Sequence, residues 1–497
     1  MSIPGGVEIK EIGTVIEIRG GIVKLTGLPS CVLGQLIELG PQTRGFIVGF
    51  TETEVLALLL GQASGLSVGS RVVVRQQPLR IGVGPDLLGR VVSALGDPLD
   101  GGPPPAAAAM RPVFQEAPGI MTRTPVERQL CTGIRAIDTM IPLGLGQREL
   151  IIGDRMTGKT SLALDAILSQ RGRNMVCIYC CIGQSHHKLQ QVTQLLREHR
   201  AMEFTVVVAA PASHEASEQF LAPYAACAVG EQFMHEGKDV LVVFDDLSKH
   251  AWAHRQLSLL LELPPGREAY PGDMFYVHAQ LMERAGQLSP EHGSGSMTFL
   301  PICETQQGDV TGYISSNLIS MTDGQLYVSS ELFYEGIKPA IDVGLSVSRI
   351  GNKVQSPVLR WASGGLRLEL LQYQEFVRLS RFASTTSEAA ALRQRRGALL
   401  RRLMAQPAHQ PMALENQTLL FYAFTVGWAE RLTEEGIAVC LAGLSQRLPA
   451  FAREALTEHP PMTPALRAKL ETALEGLLRP YCQPEKESHA VAEIPAR

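Results

Sequence analysis

The first part of the chain is patterned in short apolar runs. Residues 14–18 and 22–25 flank Gly20-Gly21, a two-glycine hairpin signal. Strand-like runs follow at 35–38, 46–48, 55–60 and 71–74. Several short strands with glycine-rich turns predict a small β-barrel or sandwich over residues 1–77. Residues 101–110 form a low-complexity connector inside the next region. From about Glu149 the pattern changes. Continuous apolar runs at 149–152, 175–182, 205–210 and 239–244 read as buried strands, with helical spacing between them, as at 160–169. Strand alternating with helix predicts a parallel sheet covered on both faces, within a region spanning 78–355.

After about Ser356 the strand signals stop and amphipathic helices take over, through 356–480. Leu392, Leu399, Leu400 and Leu403 fall on one helical face. Thr463-Pro464 has the form of an N-cap followed by proline at the first helical position. Leu466, Leu470, Leu474 and Leu477 then recur at helical spacing, and the tail 481–497 is polar and expected to be loose. No internal repeat is visible. The fold class expected is multidomain α/β: an N-terminal β-barrel, a central nucleotide-binding domain with a parallel sheet, and a C-terminal helical bundle.

Composition narrows the picture. The 497 residues carry 45 Lys+Arg against 49 Asp+Glu, a formal charge of −4, with 45% hydrophobic and 19% charged residues. That is ample for a large core and excludes a disordered chain. A near-neutral balance gives no reason to expect a nucleic-acid scaffold or a basic membrane-surface protein. No uncharged apolar run reaches the ~18 residues a membrane span needs. Residues 1–11 have neither a basic start nor an apolar stretch, so no signal peptide is expected and the chain is placed in the cytoplasm. An odd count of nine cysteines suits free thiols. Cys177, Cys180 and Cys181 resemble a redox or metal pair, but they lie in a strand-like run and read as small buried hydrophobes. The basic run Arg393, Arg395, Arg396, Arg401 and Arg402 has no aromatic platform beside it. It reads as a solvated or subunit-facing helix surface, not as a nucleic-acid patch.

Gly153, Asp154, Arg155, Met156, Thr157, Gly158, Lys159 and Thr160 fit G-x-x-x-x-G-K-[ST], between an apolar strand and a helix. Glycines let backbone N–H groups curl around phosphates, and the helix start adds positive dipole. Lys159 is suited to neutralise phosphate charge, and the Thr160 hydroxyl to ligate Mg²⁺. The run 239–244 ends in Asp245-Asp246. A carboxylate at a strand tip can hold Mg²⁺ through water, and Asp245 is the candidate; Asp246 is a candidate cap for the following segment. The run 175–182 ends in Gly183-Gln184. In a RecA-like ATPase a glutamate there would activate the attacking water. An amide can orient water but cannot take its proton. The pocket is therefore expected to bind ATP or ADP and to hydrolyse ATP negligibly.

Longer motifs add to this. They are 150–160 (L-I-I-G-D-R-M-T-G-K-T), 244–249 (F-D-D-L-S-K), 264–273 (P-P-G-R-E-A-Y-P-G-D), 304–310 (E-T-Q-Q-G-D-V) and 343–349 (V-G-L-S-V-S-R). With them the chain resembles the alpha subunits of F-type rotary ATP synthases, from Gly13 to about Leu478. The resemblance implies an alternating ring of three alpha and three beta chains around a central gamma shaft. It implies a peripheral stalk, an indirect link to a membrane sector that moves H⁺ or Na⁺, and a position on the cytoplasmic face of the membrane. Catalysis would lie mainly on beta, with alpha holding Mg-ATP. By the same resemblance Arg349 is the arginine finger lent to beta and Ser346 a required small residue. Phe333 is the aromatic residue near the nucleotide base, and Gln406 a pocket glutamine.

Departures from the family pattern are also present. Met156 replaces a loop glutamine, Lys338 an arginine near the base, and Ala408 a second pocket glutamine. All three bear on nucleotide affinity. Residues 383–388 (A-S-T-T-S-E) lack most acidic residues of the rotor-facing loop. Residues 1–12 contain Pro4-Gly5-Gly6, which breaks helix formation, so the stalk is expected to grip the barrel crown and not an alpha helix. The alternative is a self-sufficient hexameric ATPase of a secretion system, or an RNA translocase. Either needs a carboxylate base, against which Gln184 speaks, and a barrel without an evident stacking cluster speaks against the RNA version.

Overall fold

The computed structural model describes residues 11–39, 43–61, 65–380, 388–447, 449–450 and 461–482. The expectations for residues 1–10, 383–387 and 483–497 therefore lie outside the described residues. Two compact units result: one runs to Thr132 and includes Pro142–Val354, the other joins Gly133–Ile141 to the chain from Gln355 onward.

The first unit opens with a closed barrel, which decides between barrel and sandwich. Its strands are β1 (Glu11–Arg19), β2 (Ile22–Thr26), β3 (Gln35–Glu38), β4 (Arg44–Phe50), β5 (Val55–Leu60) and β6 (Arg71–Pro78). They close in the order β1-β2-β5-β4-β3-β6. Arg19 pairs with Ile22 across Gly20 (φ 55°) and Gly21 (φ 85°), the two positive φ values a tight hairpin needs. Val15, Val23, Ile37, Ile47, Ala57, Leu59, Val72 and Val74 fill the interior. All six β5 residues are buried. Val55, Ala57 and Leu59 face the barrel core, whereas Leu58 and Leu60 join the core of the sheet domain. A strand alternates its side chains, so one without polar positions must serve two cores.

Among the described residues the main sheet of the next domain has ten strands. Its main path runs Val347–Ser348, Gly324–Val328, Leu150–Gly153, Ser296–Glu304, Asp239–Asp245, Met175–Ile182, Thr205–Ala210 and Val91–Val92. All pairs along it are parallel except the first. Met175–Ile182 is buried throughout, and Cys177, Cys180 and Cys181 are buried free thiols within it. Burial pushes Cys177 above the usual thiol range and Cys181 up to about 12, which fits inert packing. Among the described residues no group of His, Cys, Asp or Glu could hold a metal ion by itself.

The second unit is helical: Pro357–Ser363, Leu366–Ser380, Glu388–Met404, Leu414–Thr425, Glu434–Ala442 and Pro464–Leu478. Thr463 caps the last of these, its side chain accepting from the Leu466 N–H, with Pro464 at the start. The buried leucines there are Leu470, Leu474 and Leu478, so the stripe drifts to Leu478 where Leu477 was expected. Leu400 and Leu403 are buried, but Leu392 is 60% exposed and lies off the core face. The basic run is partly neutralised. Arg396 pairs with Glu369 and Glu430, and Arg402 with Glu434. Among the described residues no helix is long and apolar enough to cross a membrane.

Candidate phosphate-binding site

Gly153 ends its strand with Val328 alongside; a methyl group there would overlap the Val328 carbonyl oxygen. Gly158 turns the chain into the helix Lys159–Leu168 at φ 97°, in the left-handed region that favours glycine. Between them Met156 also has positive φ (60°), and it is 92% exposed. Asp154 fixes the loop from beneath. Its carboxylate accepts from Ser330 Oγ (2.7 Å), Thr305 Oγ1 (2.7 Å) and the Gly308 N–H (2.8 Å). Burial opposes its charge, but those donors hold the carboxyl below its ordinary range. Arg155 reaches Glu304 at 2.9 Å. Lys159 is buried and folds back, donating to the carbonyls of Gly153 (2.9 Å) and Asp154 (2.5 Å). Burial lowers its pKa, so the ammonium is poorly solvated. An anionic phosphate is a better partner than those carbonyls.

Thr160, the next residue, donates to Asp245 Oδ2 at 2.8 Å. The same oxygen accepts from Tyr179 OH (2.6 Å) and lies 3.1 Å from the Lys188 ammonium, whose hydrogen bond goes to Oδ1 (3.4 Å). Oδ1 accepts from Gln184 Nε2 at 2.9 Å, while the Gln184 carbonyl takes a bond from Lys249 Nζ at 2.6 Å. Both ends of that amide are thus engaged at the strand tip. Asp246 caps the helix Leu247–Leu260 by accepting from the Lys249 N–H (2.8 Å). Burial, with Asp245 and Glu304 nearby, pushes its carboxyl up to about 7. The Thr160 hydroxyl keeps lone pairs that suit Mg²⁺. Asp245 fits less well, because both oxygens already accept from protein donors.

The remaining predicted residues divide. Phe333 sits in the short helix Ser330–Tyr334, whose first residue bonds to Asp154, so it belongs to this neighbourhood. Lys338 Nζ lies 5.2 Å from the Phe333 ring centre, a cation–π contact. Gln406 lies in the other unit. Its amide donates to the Gly133 and Gln410 carbonyls (both 2.8 Å) and accepts from the Arg135 N–H (3.0 Å). Ser346 is fully buried, donating to the Asp342 carbonyl (2.6 Å) and accepting from the Tyr327 N–H (2.9 Å).

Arg349 lies at the opposite end of the sheet. Its N–H bonds to the Asp323 carbonyl (2.8 Å), just before the strand Gly324–Val328 that ends beside Gly153. Five residues at ~3.3 Å each put its backbone about 16 Å from the phosphate loop, beyond an arginine side chain's reach. The side chain is exposed and makes no hydrogen bond or ion pair among the described residues.

Three family models match in sequence: the ATP synthase alpha/beta family beta-barrel domain over residues 8–74, its nucleotide-binding domain over 133–348, and the C-terminal domain over 355–477. The chain belongs to the ATP synthase alpha/beta family. Within it the chain goes with the alpha subunits. It is 50% identical over 416 residues to the ATP synthase subunit alpha of Caldanaerobacter subterraneus subsp. tengcongensis, covering 84% of this chain and 82% of that one. To the subunit of the same name from Clostridium acetobutylicum it is 45% identical over 448 residues, covering 90% and 89%. The three-part architecture expected from the sequence is that of the alpha/beta family. Tyr179, Lys188 and Lys249, which complete the Asp245 cluster, were not among the predicted site residues. Lys188 had a usable signal: a cation one helical turn past the strand tip at Gln184.

Proposed function

We propose that this chain is the nucleotide-holding, non-hydrolysing alpha subunit of an F-type ATP synthase, and that it acts on catalysis through Arg349. One observation carries the reading: the phosphate loop and Arg349 occupy opposite ends of one sheet, about 16 Å apart by strand rise. A finger that cannot reach its own loop is useful only in a neighbour's. The segment around it agrees, since Leu345, Val347 and Arg349 turn outward about the buried Ser346. In this reading the chain alternates with beta subunits around a gamma shaft, peripheral to the membrane, with the stalk contact on the barrel. The chain's own pocket takes ATP or ADP on Lys159 and the loop N–H groups. Phe333 is assigned to the base. A bound Mg²⁺ would offset phosphate charge, with the Thr160 hydroxyl as its partner. Gln184, tied at both ends, supplies no base, so bound ATP persists.

The test is Arg349→Lys in the assembled alpha–beta–gamma complex. A point charge does not replace a planar fork. ATP turnover should fall on the order of 10³-fold, the low end for arginine fingers, while nucleotide binding to isolated alpha is unchanged. Retention of more than half the wild-type rate defeats the assignment.

A further inference from the structure

A carboxylate offers about four lone-pair positions. In Asp245 four protein donors fill them: Thr160 and Tyr179 at Oδ2, and Gln184 and Lys188 at Oδ1, with the Lys188 ammonium also 3.1 Å from Oδ2. A hydrated divalent cation would need one of these positions for its water. Three of the donors are fixed: Tyr179 and Gln184 are buried, and Thr160 stands in the first turn of the helix Lys159–Leu168. Lys188 alone stands on a long flexible stem, with its side chain 34% exposed. Its backbone is nonetheless placed, because Ser185 caps the helix His186–Glu198 by accepting from the Lys188 N–H (3.2 Å). Lys188 Nζ lies 3.1 Å and the Thr160 hydroxyl 2.8 Å from Oδ2, so the ammonium is within about 6 Å of the hydroxyl on which a metal would sit. Cation and lysine compete for one position.

Resting on the nucleotide-binding reading above, we propose that Lys188 is a tethered cation standing in for the divalent metal, so that this pocket accepts metal-free nucleoside di- and triphosphates. The ammonium supplies the positive charge opposite the outer phosphates that Mg²⁺ supplies elsewhere. A protein-borne charge of this kind holds nucleotide regardless of metal supply.

Equilibrium binding of ATP to the full-length isolated chain by titration calorimetry tests this, in excess Mg²⁺ and in EDTA. For the wild type, removing the metal should change Kd by less than about threefold. Lys188→Gln should weaken binding in EDTA by about tenfold or more, with Mg²⁺ restoring most of the loss. Lys188→Arg should keep metal independence. Tenfold or greater weakening of the wild type in EDTA overturns the proposal and leaves the nucleotide reading intact. Lys188→Gln with wild-type affinity in EDTA overturns it equally. Failure to bind under both conditions removes the nucleotide reading and this one with it.

Discussion

His250 and His278 make the sheet domain acid-labile in a way that can be worked from their geometry. Both rings are fully buried and stacked, with centres 5.4 Å apart, and Phe220 stacks on His250 at 5.2 Å. His250 Nε2 donates to the Phe220 carbonyl at 3.1 Å, so its Nδ1 must accept from His278 Nε2 at 3.3 Å. That leaves His278 Nδ1 as a buried acceptor without a partner. The network is consistent only with both rings neutral. A further proton would set two donors face to face, or sit on Nδ1 with no acceptor. The nearby His254, paired with Asp273 at 3.0 Å, adds repulsion. Burial drives His250 well below the usual range and His278 down to about 3. Unfolded, each titrates near 6.5, so below that pH the unfolded state binds more protons. Stability is fully present above pH 6.5 and is lost as pH falls toward the folded values. Each histidine costs about 1.4 kcal/mol per pH unit, or roughly 4 kcal/mol for the pair between pH 6.5 and 5. Urea unfolding of the isolated chain at pH 5 and 7.5 measures it, with His278→Leu as control. The control should remove about one proton from the acid slope. An unchanged slope in that variant would refute the reasoning.

Two further outcomes follow from other parts of the first unit. Arg284 and Glu231 form a fully buried bidentate pair at 2.6 and 2.8 Å, and Arg284 also donates to the Val113 carbonyl (2.9 Å). Arg284→Met strands the Glu231 charge and should cost about 3–5 kcal/mol by denaturant unfolding. Gly153→Ala should leave the chain folded by circular dichroism but weaken ATP binding about tenfold or more, because the Val328 carbonyl must give way and shift the loop.

The sequence revealed most where one strand carries one uniform message. The run 175–182 is a strand to the residue, because buried parallel strands have no polar positions to blur their ends. The barrel strands were placed by their turns, with β1 and β4 longer than their apolar cores. Ser296–Glu304 lies in the sheet beside the phosphate-loop strand, yet Pro301 within it argues against a central strand. Asp245 and Asp246 were separable by position alone, one at the strand tip and one capping a helix. The anchoring of Asp154 was not legible. Its partners come from 305, 308 and 330, and only folding brings them together. Lys188 had a positional signal, one helical turn past Gln184, but its meaning depends on which oxygen it meets.

The barrel is not a detachable module. Leu58 and Leu60 of β5 are core residues of the sheet domain, and the carbonyl of Leu59 accepts from Ser217 Oγ at 2.5 Å. The N–H of Gly61, just beyond, bonds to Glu218 at 3.1 Å. Excising the barrel would expose a leucine face on one piece and leave a groove in the other. The two therefore open as a single cooperative body, and slow amide exchange should run through β5 without a break at the domain border. Force applied to the barrel passes into the sheet through that strand rather than bending a hinge.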